Sequence, residues 1–212
     1  QWRGALHLLA EAWLHGPRPD ATTFNAAISA CDKGSQWQRT LQMLAEMPFR
    51  YVQPDVVTYN STIAACGKGS CWTGAISLMM RMRESALQLG VTTYNAIASA
   101  CEKGHQWAQA LKAVSDMWQE GVAPNVVTRN AAISACEKGH AWEQALFLLA
   151  SMRSVGLQPD IITYNATISA CEKVGHWSAA LHLLSCARRA RLRTDAITSN
   201  AAISACEKGH EW

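Results

Sequence analysis

The chain has 212 residues, of which 49% are hydrophobic and 17% charged, and its net charge is +3. That balance excludes a disordered chain and a strongly basic polyanion binder, so a nucleic-acid role has to rest on where the basic residues lie rather than on their number. No apolar run reaches the roughly 18 residues that a membrane span needs, and no targeting segment is visible, although the chain opens at Gln1 in the middle of a repeating pattern.

Taken in order, residues 1–20 read as the second half of a truncated unit, in which Trp2, Ala5, Leu6 and Leu9 mark a helical stripe that Gly16, Pro17 and Pro19 end. Complete units follow at 21–55, 56–90, 91–125, 126–160 and 161–195, and residues 196–212 give the first half of another. The register does not slip. Asn recurs every 35 residues at Asn25, Asn60, Asn95, Asn130, Asn165 and Asn200, Cys keeps the same step from Cys31 to Cys206, and Trp keeps it from Trp2 to Trp212. A fixed period of this size is the signature of a solenoid whose units bury their apolar faces only against their neighbours. Half-units at both ends predict a piece of a longer array with core surface open at each end.

Each unit predicts two helices. The first begins after a recurring Thr (Thr23, Thr58, Thr93, Thr128, Thr163, Thr198), which is expected to act as its N-cap. Its buried stripe in the second complete unit's frame is Tyr59, Ile63 and Cys66, and Gly34, Gly69, Gly104, Gly139 and Gly209 are expected to supply the following turn. The second helix starts near the Trp. Trp142, Ala145, Leu146, Leu149 and Met152 show its stripe, and Gly121 and Gly156, with Pro54, Pro124 and Pro159 just beyond, are expected to end such helices. Nothing in the period reads as a strand, so the expected fold is all-α. Of the eight cysteines, six hold one helix position in successive units and read as small core residues of a protein in a reducing compartment.

Catalytic and metal chemistry find little support. Cys101 with His105, Cys136 with His140 and Cys206 with His210 have the spacing of a thiolate pair, but no third orienting residue accompanies them and Ser35 stands at the matching place after Cys31. Cys66 and Cys71 are the only closely spaced cysteines, and no second pair follows. The chain therefore reads as a non-enzyme with no metal and no cofactor.

The 35-residue period, the Val-Val-Thr-Tyr-Asn opening at 56–60, the Cys-Glu-Lys-Gly turn, the Ala-Leu pair and late Met of the second helix, and the closing Pro-Asp together resemble pentatricopeptide repeats over essentially the whole chain. Tetratricopeptide repeats, which bind peptides, differ in period and carry a Trp-Leu-Gly-Tyr pattern that is absent here. The resemblance implies a right-handed α-solenoid, a superhelix of stacked helix-turn-helix repeats. It implies sequence-selective binding of single-stranded RNA, one base per repeat, in organellar RNA processing, stability, editing or translation, with the mitochondrion or chloroplast as location. The His-x-Glu and Cys-x-x-Cys signature of the editing members' deaminase module is not present.

In that family the base is chosen by the fifth and last residues of a unit. The fifth residues here are Asn25, Asn60, Asn95, Asn130, Asn165 and Asn200, and the last residues are Asp20, Asp55, Gly90, Asn125, Asp160 and Asp195. An Asn amide reaching a small base edge implies a pyrimidine. A carboxylate can accept from N3–H of uracil, whereas an amide can donate to N3 of cytosine. Asn25 with Asp55, Asn130 with Asp160 and Asn165 with Asp195 thus imply uracil. Asn95 with Asn125 implies cytosine with uracil tolerated, and Asn60 with Gly90 discriminates weakly, giving an expected pyrimidine-rich U-Y-C/U-U-U. The resemblance further implies that the second residues, Thr22, Val57, Thr92, Val127, Ile162 and Ile197, sandwich the bases. Lys33, Lys68, Lys103, Lys138, Lys173 and Lys208 form a row of candidate phosphate contacts. A single Asn would read as a capping or solvated residue and a single Lys as a surface charge; their common register favours the binding roles. The Trp row reads as packing at the start of the second helix. A protein-interaction scaffold holding an extended peptide in the same groove is the alternative, and protein partners remain open.

Overall fold

The computed structural model describes residues 2–16 and 18–209. Pro17, expected to help end the first helix, His210, the partner expected for Cys206, and Trp212, the last of the Trp row, lie outside the described residues. Among the described residues the chain forms twelve α-helices and no strand. The first helices of the units are α2 (Ala21–Lys33), α4 (Val56–Lys68), α6 (Val91–Lys103), α8 (Val126–Lys138), α10 (Ile161–Lys173) and α12 (Ala196–Lys208). The others are α1 (Trp2–His15), α3 (Trp37–Phe49), α5 (Trp72–Glu84), α7 (Trp107–Gln119), α9 (Trp142–Ser154) and α11 (Trp177–Arg189), each opening on its Trp.

The helices group into two compact bodies, Gln1–Gly104 and His105–Trp212, divided in the turn between α6 and α7. Within the first, α2, α4 and α6 pack on one another in succession, with α1, α3 and α5 on their flank. Within the second, α8, α10 and α12 do the same, with α7, α9 and α11 beside them. Each body is therefore a stack of helix pairs, the all-α solenoid arrangement in which local contacts carry the stability.

Small residues let the first helices approach. Ala65, Ala100, Ala135, Ala170 and Ala205 are all but fully buried, and the α-carbon and methyl of Ala100 lie 3.4 Å from where a side chain on Gly67 would begin. The expected stripes are in place in part. Tyr59, Ile63 and Cys66 are buried on α4, and Ala145, Leu149 and Met152 on α9, where Trp142 and Leu146 are half-buried; on α1 Leu9 is buried while Trp2, Ala5 and Leu6 are half-buried. Cys31, Cys66, Cys101, Cys136 and Cys171 are free, fully buried thiols, and Cys206 is half-buried.

One local expectation changes. The recurring Thr is not the N-cap. It is the third residue of its helix, and the cap is the last residue of the preceding unit: Asp20, Asp55, Gly90, Asn125, Asp160 or Asp195, each in an extended backbone conformation. Asp55, Asp160 and Asp195 form reciprocal capping boxes with Thr58, Thr163 and Thr198. Both residue types are good caps, and the sequence pattern was satisfied by either choice of register; a Thr three places inside the helix still accepts from the cap's own N–H.

The glycines stand in the turn after the first helix as expected, though not as its left-handed residue. Gly34, Gly69, Gly104, Gly139 and Gly209 have ordinary negative φ, and positive φ falls on the next residue, at Ser35, Ser70, His105 and His140. What requires glycine is the Trp of the preceding unit. A β-carbon would lie 2.4 Å from the Trp2 ring at Gly34, 2.1 Å from Trp37 at Gly69, 2.4 Å from Trp72 at Gly104 and 2.3 Å from Trp107 at Gly139. The unit that carries Val174 instead has its glycine one place later, at Gly175 with φ +69, and there Trp142 tilts onto the His176 ring at 4.6 Å. The second helices end as expected on left-handed Gly121 and Gly156, while Tyr51, Ala86 and Arg191 take that conformation elsewhere.

Candidate nucleic-acid interface

Because the last residue of one unit caps the first helix of the next, it is held beside the fifth residue of its own unit. At the first junction Asn25 Nδ2 donates to Asp55 Oδ1 and Oδ2 at 3.2 and 3.4 Å. The Thr58 N–H donates to Asp55 Oδ1 at 2.8 Å, and the Thr58 hydroxyl lies 2.6 Å from Asn25 Oδ1 and 2.8 Å from Asp55 Oδ1. The second body repeats the arrangement. Asn130 Nδ2 reaches the two Asp160 oxygens at 3.1 and 3.2 Å, and the Thr163 hydroxyl lies 2.6 Å from Asn130 Oδ1. The Thr198 hydroxyl donates to Asn165 Oδ1 at 2.6 Å, and the Thr198 N–H donates to the cap, Asp195 Oδ1, at 2.9 Å. At these three junctions the Asn and the capping carboxylate are thus joined into one hydrogen-bonded unit through the Thr.

Division of labour within the carboxylate follows from these distances. Oδ1 of Asp55 and Asp160 takes the helix N–H and the Thr hydroxyl, so Oδ2, which meets only the Asn amide, keeps lone pairs for an outside donor. Partial burial pushes the Asp55 and Asp160 carboxyls up, but the bonds from Thr58 with Asn25 and from Thr163 with Asn130 outweigh it and leave both below the usual carboxylate range. The Thr198 N–H holds Asp195 down in the same direction. Asp20, capping α2, is brought to about 2 by the Thr22 hydroxyl and by Thr23. All four are ionised acceptors at neutral pH.

Gly90 breaks the pattern. Without a carboxylate, Asn60 Nδ2 turns to the Thr92 hydroxyl at 3.3 Å, and Asn60 Oδ1 and Thr93 Oγ1 are both buried without a partner. Asn125 keeps it in altered form. Its Oδ1 accepts from the Thr128 N–H and hydroxyl at 2.9 Å each, so its amide Nδ2 occupies the place of the free carboxylate oxygen. Asn95 lies half-buried on α6 in the first body and Asn200 exposed on α12 in the second.

Beside these groups the second helical residues stand in water. Val57, Val127, Ile162 and Ile197 are 57 to 66% exposed, and Thr22 and Thr92 are exposed as well. A β-branched apolar side chain left out of the core at one fixed position per unit is a recurring flat surface of the kind on which bases pack.

The lysines are less free than their sequence pattern suggests. Lys68 pairs with Asp32 at 2.6 Å, Lys173 with Glu137 at 3.1 Å and Lys208 with Glu172 at 2.8 Å, each reaching back to the acidic residue of the preceding unit. Pairs this exposed contribute about 0–1 kcal/mol each. Among the described residues Lys103 has no such partner, because Gly67 stands where the acidic residue would be, and Lys33 is exposed. The signal was present in the sequence as an acid immediately before most of the lysines, but the pairing runs between units rather than within one.

At Cys101 and Cys136 the Cys–His spacing does not come with a reactive thiolate. Burial raises the thiols of Cys101 and Cys171 to about 11 and those of Cys66 and Cys136 to about 12, which removes the thiolate, while His105 and His140 are exposed in the turn.

The sequence matches the PPR repeat family over residues 19–68 and 124–173, the pentatricopeptide repeat domain over 77–138, and the PPR repeat over 57–87 and 162–192. No curated protein matches significantly. Among solved structures, the chain is similar to the pentatricopeptide repeat protein PPR10 in complex with an 18-nt psaJ RNA element, with TM-score 0.82 and 24% identity over 99% of this chain and 30% of that one. Its likeness to PPR10 from maize has TM-score 0.62 and 22% identity, over 99% of this chain and 35% of that one. It is also similar to the PPR domain of Arabidopsis thaliana protein-only RNase P 1 in complex with tRNA, with TM-score 0.72 and 14% identity over 85% of this chain and 95% of that one. The chain spans about a third of the length of the PPR10 structures it matches.

Proposed function

The chain belongs to the pentatricopeptide repeat family, and from that premise we propose that it binds single-stranded RNA sequence-selectively, one base per repeat. The observation that carries the reading is the Asn–carboxylate unit of the junctions closing on Asp55, Asp160 and Asp195, an amide and an ionised oxygen fixed side by side next to an exposed apolar residue. Such a unit offers what a pyrimidine's Watson–Crick edge requires, and the adjacent apolar side chains offer a stacking surface.

Asp55, Asp160 and Asp195 select uracil through Oδ2, which accepts from N3–H; N3 of cytosine carries no hydrogen and leaves that oxygen unmatched. Asn125, with an amide at the same place, selects cytosine and tolerates uracil. Gly90 leaves its base chosen by Asn60 alone. The proposed target, read from the amino-terminal end along RNA running 5′ to 3′, is U, either pyrimidine, C or U, U, U. Val57, Val127, Ile162 and Ile197, with Thr22 and Thr92, sandwich the bases. Lys33 and Lys103 contact phosphate directly, whereas Lys68, Lys173 and Lys208 do so only by exchanging a carboxylate for it. An organelle, mitochondrion or chloroplast, is the proposed location on family grounds alone.

Fluorescence anisotropy with labelled RNAs tests the reading. The chain is expected to bind an RNA carrying this pyrimidine core at least about tenfold more tightly than oligo(A) of equal length. Equal affinity for the two would dismiss base reading.

A further inference from the structure

The fourth residue of the first helices is Phe24, Tyr59, Tyr94, Arg129, Tyr164 and Ser199. Twice it is a tyrosine that meets an arginine from the preceding second helix: Arg83 donates to the Tyr94 hydroxyl at 3.3 Å and Arg153 to the Tyr164 hydroxyl at 2.7 Å. At the junction of α7 and α8 the two residue types are exchanged, with Trp118 in the arginine's place and Arg129 in the tyrosine's. The cation has moved from the surface to the interior. Arg129 is only 4% exposed, donates from Nη1 to the Ser151 hydroxyl and has a buried Nε without an acceptor. Among the described residues no carboxylate pairs with it.

Arg129 forms the floor of a cavity of about 580 Å³ in the second body, between α7 and α9, walled by Leu111, Val114, Trp118, Phe147 and Leu148. Trp118 and Phe147 form an open rim, 47 and 71% exposed. Exposed Glu143 stands at the mouth. The equivalent groove between α9 and α11 has Tyr164 in place of the cation, with its hydroxyl already taken by Arg153. The wall helices carry none of the Asn or capping residues of the proposed RNA site.

A buried guanidinium with an unmatched N–H favours an incoming carboxylate, which it can hold by paired, charge-assisted hydrogen bonds. A purely apolar occupant would leave the cation unpaired, and a small hydrated anion would leave the Trp118 and Phe147 walls in water. The rim is too exposed for a small acid to cover, whereas aromatic and arginine anchors around an apolar hollow are the usual centre of a protein interface. We propose that this cavity docks a protein partner that inserts one Asp or Glu flanked by apolar side chains between α7 and α9.

The test is a selection of phage-displayed random dodecapeptides on the immobilised chain, followed by anisotropy with the labelled synthetic winners. Winners are expected to carry a carboxylate next to apolar residues. Their affinity is expected to fall about tenfold or more with Arg129→Tyr, the residue found at this place in three other units, and with Phe147→Ser at the exposed rim. Glu143→Gln should tighten binding by removing a competing charge. RNA affinity should be unchanged in all three variants, which separates this site from the proposed RNA site. Winners that bind Arg129→Tyr as well as wild type, or that lack an acidic residue, would overturn the proposal. So would a site that takes free phenylpropionate while selecting no peptide.

Discussion

The junction closing on Asp55 and the one closing on Gly90 have the same Asn, the same Thr and the same helix-start geometry, and they differ at the cap, Asp55 against Gly90, and at the second helical residue, Val57 against Thr92. At the first, Asn25, Asp55 and Thr58 satisfy one another. At the second, Asn60 turns to Thr92 and two buried oxygens are left without partners. The comparison teaches that the proposed reading residue is also a structural one. The carboxylate that would meet a base is the same group that starts the next helix and fixes the orientation of its Asn neighbour.

Breaking what both junctions share has the largest expected effect. Gly69→Ala and Gly104→Ala push a methyl into the rings of Trp37 and Trp72, and each is expected to destabilise the array by about 1–3 kcal/mol in urea unfolding, to a similar extent. Values near zero would mean that the Trp–Gly contact is slack.

Making the second junction like the first comes next. A β-carbon at Gly90 meets nothing within 4 Å and its backbone is already extended. Gly90→Asp should therefore stabilise by about 1 kcal/mol through the new cap, and the base facing Asn60 should change from either pyrimidine to uracil. No gain in stability would detach the cap from the network.

The carboxylate junctions also predict an acid response that the glycine junction lacks. Asp55, Asp160 and Asp195 titrate below their ordinary values in the folded chain. Their contribution is thus fully present above the unfolded value of about 3.9 and is lost as the pH falls through the folded values. Stability should be flat in this respect from neutrality to about pH 5 and fall below about pH 4, and Asp55→Asn should make the fall shallower. An unchanged acid limb would show that the carboxylates contribute nothing.

The smallest effect concerns salt. Lys103→Ala should flatten the log–log salt dependence of RNA affinity by about 0.7, the value of one phosphate contact on a single strand. Lys68→Ala, whose nitrogen is already held by Asp32, should change it less. Equal changes would show that the ion pairs between units give way freely to phosphate.

Much of this was legible from periodicity. The two helices of each unit, the start of each second helix at its Trp and the buried Cys row follow from a pattern that repeats without insertion, because a solenoid's contacts are set by its period. What was not legible depends on contacts between units. Asp55 and Thr58 are both good caps, and only the backbone shows which one stands outside the helix. Gly69 stands in the turn, but that the Trp37 ring leaves no room there for a side chain shows only in the packing. Lys68 looks solvated until Asp32, in the preceding unit, is found beside it. The exchange of Arg and aromatic residue at Trp118 and Arg129 was in plain sight but carried no meaning before the Arg153–Tyr164 contact showed what it alters.

The central claim is that the outer oxygen of the capping carboxylate reads the base, and Asp160→Asn tests it most directly. Asn125 shows that an amide keeps the helix cap, with its Oδ1 bound to the Thr128 N–H at 2.9 Å, so the substitution changes the atom offered to the base while leaving the fold in place. Affinities are measured for wild type and Asp160→Asn with RNAs differing only at the base facing Asn130. Wild type is expected to prefer uracil, and the variant to lose that preference several-fold or invert it towards cytosine, as an unmatched hydrogen-bonding group costs about 1–3 kcal/mol. The same ranking of uracil and cytosine by both proteins, with the same ratio, would contradict it.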